Sequence, residues 1–161
     1  MVRRSAIRSR RGAKSDPIPV LHIDDDPQIT RIVAARLARE GFQVTPLNDP
    51  TRAIDALVHG LYRIVLMDID MPQINGLELL GRIKAHDGGI QVVMLTGLVT
   101  MTSVLQSLRL GAEACFFKPL DDVEPLVDAL RDVQRKLQRW WTTLDELSRQ
   151  RKRVATAGAL N

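Results

Sequence analysis

The stretch that decides the fold is "LMDIDMP", residues 66–72, in which an apolar run ends abruptly on carboxylates. The apolar run begins at Ile64, Asp68 and Asp70 follow it, and Pro72 then interrupts the chain. A short apolar run bounded by turn residues is typical of a buried strand. A carboxylate at the end of such a strand is costly unless a cation or a hydrogen-bond donor pairs with it. The rest of the sequence should therefore contain the partner of Asp68.

Composition bounds the class of protein before any motif is considered. The chain has 161 residues, of which 45% are hydrophobic, and a net charge of +4. Cys115 is its only cysteine, so no disulfide forms within the chain, and we expect a reducing, cytoplasmic setting. The apolar runs are too short to span a bilayer, so we expect no membrane partner.

The charges are segregated along the chain. Residues 1–16 carry six Lys/Arg against one acid, residues 131–161 carry eight against three, and residues 17–130 carry nine against fifteen acids. Residues 1–17 lack periodicity and are predicted to be a disordered basic tail. No aromatic residue interleaves with the arginines of this tail, so stacking on bases has no support, and we expect no nucleic-acid partner.

From residue 18 onward, short apolar runs alternate with amphipathic segments. The runs predict strands over 18–23, 42–45, 63–67, 90–95 and 114–117. The segments between them predict helices from the Asp26 cap to Gly41, over 50–59, 75–86 and 100–110, and from residue 121 or 122 onward. Five βα units in succession indicate a doubly wound α/β fold with a five-stranded parallel sheet. In such sheets the binding site lies at the carboxyl ends of the strands.

Polar residues follow four of the five predicted strands. They are Asp24, Asp25 and Asp26 after the first strand, Asp68 after the third, Thr96 after the fourth and Lys118 after the fifth. Asp26 is explained as a helix cap. The other carboxylates would repel one another at one edge unless they share a cation. Their hard oxygen ligands favour Mg²⁺, and Lys118 could supply a second positive charge for Asp68. An aspartate can also act as a nucleophile toward a phosphoryl group, and a hydroxyl such as that of Thr96 could bind a phosphoryl oxygen.

Four ordered motifs identify a family. "HIDDDP" (22–27), "VLMDIDMPQINGLELL" (65–80), "VVMLTGL" (92–98) and "GAEACFFKPL" (111–120) resemble the receiver domain of bacterial two-component response regulators. The resemblance covers residues 18–134. It implies a flavodoxin-like fold with strand order 2-1-3-4-5. It also implies a phosphorylation-switched signalling protein. Because too few residues follow Arg153 for a DNA-binding domain, we expect the output to pass through protein–protein interaction or dimerisation.

The resemblance also assigns roles to the residues at the strand ends. Asp68 matches the phosphoacceptor, and Asp24, Asp25 and Asp68 match the ligands of Mg²⁺, together with the main-chain carbonyl of Asp70. Thr96 matches the switch hydroxyl, and Lys118 matches the family lysine, followed by a cis bond to Pro119. The donor would be a phosphohistidine of a sensor histidine kinase or a phosphotransfer protein. The chain would then be no enzyme in the usual sense, but a phosphoacceptor that assists its own phosphorylation and dephosphorylation. Cys115 stands where many family members carry an aromatic residue.

Two alternative functions remain open from the sequence. "DID" (68–70) also resembles the nucleophile motif of haloacid-dehalogenase-type phosphatases. Those enzymes carry the motif after the first strand, whereas here it follows the third and no sizeable cap domain is evident. The second alternative is a receiver-like scaffold that takes no phosphate.

The last predicted helix is longer than the family pattern. Apolar residues recur at alternating spacings of three and four from Val123 to Leu147, which is the seam of a coiled coil. We therefore expect a helical extension over 135–153, followed by a tail over 154–161. Through residues 137–150 the chain would form a homodimer or bind a partner helix. The alternative is a bend at Thr142 and Thr143 that folds the segment back on its own domain. After Arg153 too few residues remain for a DNA-binding domain.

Overall fold

The fold was analysed in a computed structural model, which describes residues 17–97 and 100–158, with side chains described up to residue 151. Its strands are β1 (Ile18–Ile23), β2 (Phe42–Leu47), β3 (Ile64–Met67), β4 (Gln91–Thr96) and β5 (Ala114–Phe117). Its helices are α1 (Pro27–Ala38), α2 (Ala53–His59), α3 (Gly76–His86), α4 (Met101–Arg109) and α5 (Glu124–Gly158), with a 3₁₀ turn at Pro50–Arg52. The predicted tail over residues 1–17 falls almost entirely on residues 1–16, which lie outside the described residues.

The five strands form one parallel sheet in the order β2-β1-β3-β4-β5, which confirms the predicted order. β1 and β3 lie next to one another in the middle of the sheet, with Ile23 opposite Met67. Since all strands run the same way, the residues that follow them meet at one edge. We call it the carboxyl edge, and the opposite edge the amino edge.

The helices cover both faces of the sheet, as the near-continuous apolar strands require. On one face α1 and α5 bury Val33, Leu37, Leu126 and Leu130 against the strands. On the other face the core comes from α2 and α3, with Leu57, Leu79, Leu80 and Ile83. β3 is therefore buried along its whole length, and β1 is buried from Val20 to Ile23.

Local signals set most of the element ends. The Asp26 side chain accepts a hydrogen bond from the Gln28 N–H at 2.8 Å, which confirms it as the cap of α1. Gly41, with φ of 89°, makes the left-handed turn that leads into β2. β2 runs two residues further than predicted, through Pro46. That proline is tolerated because β2 is an edge strand.

Helix α5 differs from the prediction at both ends. It begins at Glu124, where the Asp122 side chain accepts the Glu124 N–H at 2.9 Å, rather than at residue 121 or 122. It runs unbroken to Gly158, so the tail predicted from residue 154 is wrong at least as far as residue 158. Residues 154–157, "VATA", contain no helix breaker and two alanines, the best helix former, so they continue the helix.

The fold-back alternative for the extension is also wrong. Helix α5 is continuous through Thr142 and Thr143. Each threonine hydroxyl donates to the carbonyl oxygen four residues earlier, at 3.0 and 3.1 Å, which is compatible with an intact helix. Of the helices in the described part of the chain, none is both long and apolar enough to cross a membrane.

Gly76 occupies a position where the fold leaves no room for a side chain. A Cβ atom there would lie 2.0 Å from the Asp68 carbonyl oxygen and 2.7 Å from the Ile69 Cα. The Gly76 N–H also donates to the Ile69 carbonyl at 2.8 Å. The start of α3 is therefore packed directly against the backbone that carries Asp68.

We predict opposite effects for two glycine-to-alanine substitutions in α3. Gly76→Ala forces backbone apart and should lower the free energy of unfolding by about 1–3 kcal/mol or more. Gly81→Ala is the control, because its Cβ would lie 4.0 Å from the nearest neighbour and alanine favours a helix interior by about 1 kcal/mol. Urea unfolding of both variants measures this. Equal stabilities for the two variants would contradict the steric account of Gly76.

Candidate functional site

The strands bring the predicted residues to one place at the carboxyl edge. Asp24 follows β1, Asp68 follows β3, Thr96 ends β4 and Lys118 follows β5. Backbone hydrogen bonds continue the ladder past the strand ends. The Asp68 N–H donates to the Ile23 carbonyl at 3.0 Å, and the Lys118 N–H donates to the Thr96 carbonyl at 2.9 Å. Sheet geometry thus fixes the positions of these residues at one edge, as the strand pattern predicted, and their roles stay predictions.

Lys118 lies between two buried carboxylates. Its Nζ is 2.6 Å from Asp24 Oδ2 and 2.8 Å from Asp68 Oδ2. The side chains of Asp24 and Asp68 are 1% and 8% exposed, so solvent screens these contacts poorly. Lys118 is therefore the partner that the sequence required for Asp68.

The other oxygen of Asp68 is held by the backbone. Its Oδ1 accepts the Ile69 N–H at 2.7 Å and the Asp70 N–H at 3.3 Å. Hydrogen bonds from N–H groups stabilise the charged form of a carboxylate. Both oxygens of Asp68 are thus oriented before any ligand arrives.

Three carboxylates form a cluster that could hold a metal ion. One oxygen each of Asp24, Asp25 and Asp68 lies within 4.8 Å of the others. Such crowding is unfavourable without a cation, and an all-oxygen donor set fits Mg²⁺. The fourth predicted ligand, the Asp70 carbonyl, belongs to the turn directly after Asp68, and its role stays a prediction.

The site shifts the pKa of two of its members in the same direction. Burial raises the pKa of the Asp24 carboxyl above its ordinary value, although Lys118 and the Asp26 N–H oppose the shift. Burial alone would lower the pKa of Lys118, but its hydrogen bonds to Asp24 and Asp68 outweigh it and raise the pKa. Lys118 therefore stays an ammonium at neutral pH and neutralises part of the acidic cluster.

The two residues that match the family's switch positions, Thr96 and Cys115, lie on β4 and β5. Thr96 is fully buried, and the Gly97 that follows has space around it, since an added Cβ would meet no atom of the described residues within 4 Å. Leu98 and Val99 lie outside the described residues. Cys115 pairs in register with Met94 and is half-buried, and burial raises the pKa of its thiol. At the position of the family's usual aromatic residue, the structure therefore holds a small, uncharged side chain. The Lys118–Pro119 bond is cis, as the resemblance implied.

Sequence reasoning missed two residues that support the site. His22 is fully buried, and its Nε2 lies 3.9 Å from Asp24 Oδ2. Neither ring nitrogen has a hydrogen-bond partner within the described chain, and burial lowers the pKa of His22 to about 3, so the ring is neutral. Asn48 donates to the Asp24 carbonyl at 2.8 Å and to Thr30 Oγ1 at 3.1 Å. A polar residue inside an otherwise apolar strand was the available signal for His22.

Comparisons with known proteins agree with this geometry. The family model described as "Response regulator receiver domain" matches residues 20–159. Sporulation initiation phosphotransferase F of Bacillus subtilis is 29% identical over 73% of this chain and 90% of its own. Among solved structures, the response regulator TrrA of Thermotoga maritima, crystallised in complex with Mg(2+)-BeF, has a TM-score of 0.65. Its identity is 26%, and the match covers 72% of this chain and 98% of that one.

A third relative carries more than this domain. The uncharacterized transcriptional regulatory protein YkoG of Bacillus subtilis is 31% identical over 73% of this chain and 51% of its own length. The chain thus spans about half the length of the transcriptional regulators that it matches. The family model covers most of the chain, and the strand order and the cluster of carboxylates at the carboxyl edge agree with it. This protein therefore belongs to the response regulator receiver domain family, which acts in phosphorylation-dependent signalling.

Proposed function

We propose that Asp68 accepts a phosphoryl group from a phosphohistidine of a sensor histidine kinase or phosphotransfer protein, and that the signal leaves through a protein–protein contact. The observation that carries the proposal is the position of Lys118, within 2.8 Å of both Asp24 and Asp68. Phosphoryl transfer needs positioning and charge neutralisation more than it needs covalent chemistry from the protein. An oriented carboxylate beside a fixed ammonium supplies both.

The transfer is a simple exchange of bonds. An oxygen of Asp68 forms a bond to phosphorus, the P–N bond of the phosphohistidine breaks, and the departing imidazole takes a proton from solvent. Asp68 Oδ1 is held by the backbone, and Lys118 is placed to neutralise a phosphoryl oxygen. The Thr96 hydroxyl, on the neighbouring strand end, would bind a second phosphoryl oxygen.

Mg²⁺ fits the same cluster. Asp24, Asp25, Asp68 and the Asp70 main-chain carbonyl would hold the ion, which would neutralise the charge of the phosphoryl oxygens when bound. The Mg(2+)-BeF complex of TrrA supports this, because that protein shares the fold at 26% identity. The same residues would let the chain assist its own phosphorylation and dephosphorylation.

The alternatives differ in what they require of the site. A haloacid-dehalogenase-type phosphatase is disfavoured, because the chain belongs to the receiver family and its nucleophile candidate follows the third strand. A scaffold that takes no phosphate would not need Lys118 and three carboxylates converging on one edge. A cytoplasmic location and the expected lack of a nucleic-acid partner stay predictions, and some relatives are named as transcriptional regulators.

We predict that Asp68→Asn abolishes phosphorylation by acetyl phosphate, because an amide is no nucleophile toward phosphorus. Asp70→Asn is the matched control. It removes one charge from the same turn but keeps the main-chain carbonyl, and Asp70 is exposed. Intact-mass spectrometry after incubation with acetyl phosphate and Mg²⁺ measures the phosphorylated fraction. The control should be phosphorylated within a few-fold of the natural chain.

Three results would contradict the proposal for Asp68. Phosphate on the Asp68→Asn variant at the natural yield would place the acceptor elsewhere. Equal loss in both variants would show that charge on the turn, rather than the nucleophile, matters. A natural chain that takes no phosphate from acetyl phosphate or from a kinase would support the scaffold alternative.

We predict that Mg²⁺ stabilises the unphosphorylated chain by relieving repulsion in the cluster. A ligand at about 100 times its Kd adds about 2.7 kcal/mol. For a domain of this size that corresponds to a rise of roughly 5–10 °C in Tm. Asp25→Asn should remove most of this rise, and it should not lower Tm in the absence of Mg²⁺, since it also removes a repulsive charge.

The control for the magnesium prediction is Asp26→Asn. It removes a charge from the neighbouring residue, lies outside the cluster, and keeps a good helix cap. Thermal unfolding with and without Mg²⁺ should show the full rise in this variant. If Mg²⁺ leaves the natural chain's Tm unchanged, or if Asp25→Asn and Asp26→Asn respond alike, the metal assignment is wrong.

A further inference from the structure

A buried histidine beneath the carboxylate cluster lacks hydrogen-bond partners. Three buried side-chain polar atoms in the described part of the chain have no partner there, and two of them are the ring nitrogens of His22. Buried polar groups are nearly always paired, because an unpaired one has given up its hydrogen bonds to water without replacing them. An apolar side chain at residue 22 would avoid this cost, so the histidine calls for an explanation.

The position of His22 in β1 places its ring under the site. Side chains alternate along a strand, so His22 points to the same side as Val20, which packs in the core that α1 and α5 cover. Leu66, its register partner in β3, belongs to the same apolar core. The carboxylate of Asp24 faces the ring, with its Oδ2 3.9 Å from His22 Nε2, which is too long for a hydrogen bond.

The oxygen that faces His22 is the one that Lys118 holds. Lys118 Nζ lies 2.6 Å from Asp24 Oδ2 and 2.8 Å from Asp68 Oδ2, whereas Asp24 Oδ1 accepts the Asp26 N–H at 2.9 Å. A cation bound among the three carboxylates would repel the Lys118 ammonium, and a phosphoryl oxygen on Asp68 would attract it. Both events draw Lys118 away from Asp24. The Asp24 side chain is 1% exposed, so water has little access to the oxygen that Lys118 leaves.

We propose that His22 is a positioning residue for the metal site, whose Nε2–H donates to Asp24 Oδ2 when Lys118 moves from that oxygen to the phosphoryl group. The inference rests on the proposed function, because it needs Mg²⁺ and a phosphoryl group at the carboxyl edge. A neutral imidazole carries one N–H donor, and a relative shift of roughly 1 Å brings the two groups to hydrogen-bond distance. Asp24 Oδ2 thus has two donors that act in turn.

This role explains why a polar ring is kept in an apolar core. Carboxylates that bind a metal ion are themselves hydrogen-bonded by groups outside the ligand set, and these groups fix their orientation. Asn48 already holds the Asp24 main-chain carbonyl at 2.8 Å, and the Asp26 N–H holds Oδ1. His22 supplies the one donor that the loaded site still lacks on Asp24.

A matched pair of substitutions separates the donor from the shape of the side chain. His22→Met and His22→Gln place unbranched side chains of equal length, but only glutamine carries N–H groups. His22→Met should weaken Mg²⁺ binding by about tenfold or more, and His22→Gln should stay within a few-fold of the natural chain. Without Mg²⁺, His22→Met should have a Tm equal to or above that of the natural chain, because it removes two unpartnered nitrogens. Thermal unfolding over a series of Mg²⁺ concentrations measures both quantities.

Nuclear magnetic resonance of the imidazole nitrogens gives a direct readout that does not depend on either variant being stable. The chain has three histidines, and His59 and His86 are exposed and serve as internal controls. The signal missing from His22→Gln assigns His22. Mg²⁺ with acetyl phosphate should move the Nε2–H proton of His22 downfield, as a new hydrogen bond to a carboxylate does, and leave the other two rings unchanged.

The outcomes distinguish this inference from the proposed function on which it rests. Equal Mg²⁺ affinities for the natural chain and His22→Met, or an unchanged His22 signal, would overturn the role of His22 and leave the metal site standing. Equal losses of Tm and of Mg²⁺ affinity in both variants would show that the ring only fills space, which also overturns it. A natural chain whose Tm does not respond to Mg²⁺ would overturn the metal site and the role of His22 together.

Discussion

The ion pairs of Lys118 with Asp24 and Asp68 are the interaction on which the carboxyl edge depends. Three carboxylates crowd an edge where the flanking strands exclude water, and a buried charge without a partner costs several kcal/mol. Lys118 contacts two of them at 2.6 and 2.8 Å. The sheet order explains how it reaches both, because β1 and β3 are neighbours at the centre of the sheet and β5 lies two strands from β3. A long, flexible side chain at the end of β5 can span that gap.

The same ion pairs orient the side chains of the site more than they stabilise the fold. A buried pair is weak evidence for stability, since desolvation offsets much of the attraction. Its value here is orientation, because Lys118 and the backbone together fix both oxygens of Asp68. In the proposed transfer a metal ion and a phosphoryl group would bring their own charges, and Lys118 would keep its ammonium and change only the oxygen it contacts. The raised pKa of Lys118 keeps it charged throughout.

The sheet and the residues at its carboxyl edge could be predicted from the sequence, because both depend on short-range patterns. Apolar runs marked the five strands, and parallel topology then placed Asp24, Asp68, Thr96 and Lys118 together. It could not predict contacts that depend on three-dimensional packing. Nothing in "QING" indicates that Gly76 packs against the Asp68 carbonyl. Nothing in "HIDDD" indicates that both His22 nitrogens are buried without a hydrogen-bond partner among the described residues. The predicted end of the helix was placed too early because the short uncharged segment after Arg153 has no amphipathic pattern, although its alanines continue the helix.

Helix α5 has a first part that packs on the sheet and a second part that extends beyond it. At about 1.5 Å per residue, its 35 residues span roughly 50 Å, so only its first part can lie against the sheet. Ion pairs of Arg131 with Glu40 and of Lys136 with Glu113, both at 2.9 Å, add to the apolar seam in fixing that part to the body. Beyond residue 137 the helix leaves the sheet, and Trp140, Trp141 and Leu144 border a groove whose other side includes Gln91 and Glu113. The acids at the carboxyl edge find a counter-charge in Lys118, whereas the large apolar side chains at the end of α5 stay about half-exposed.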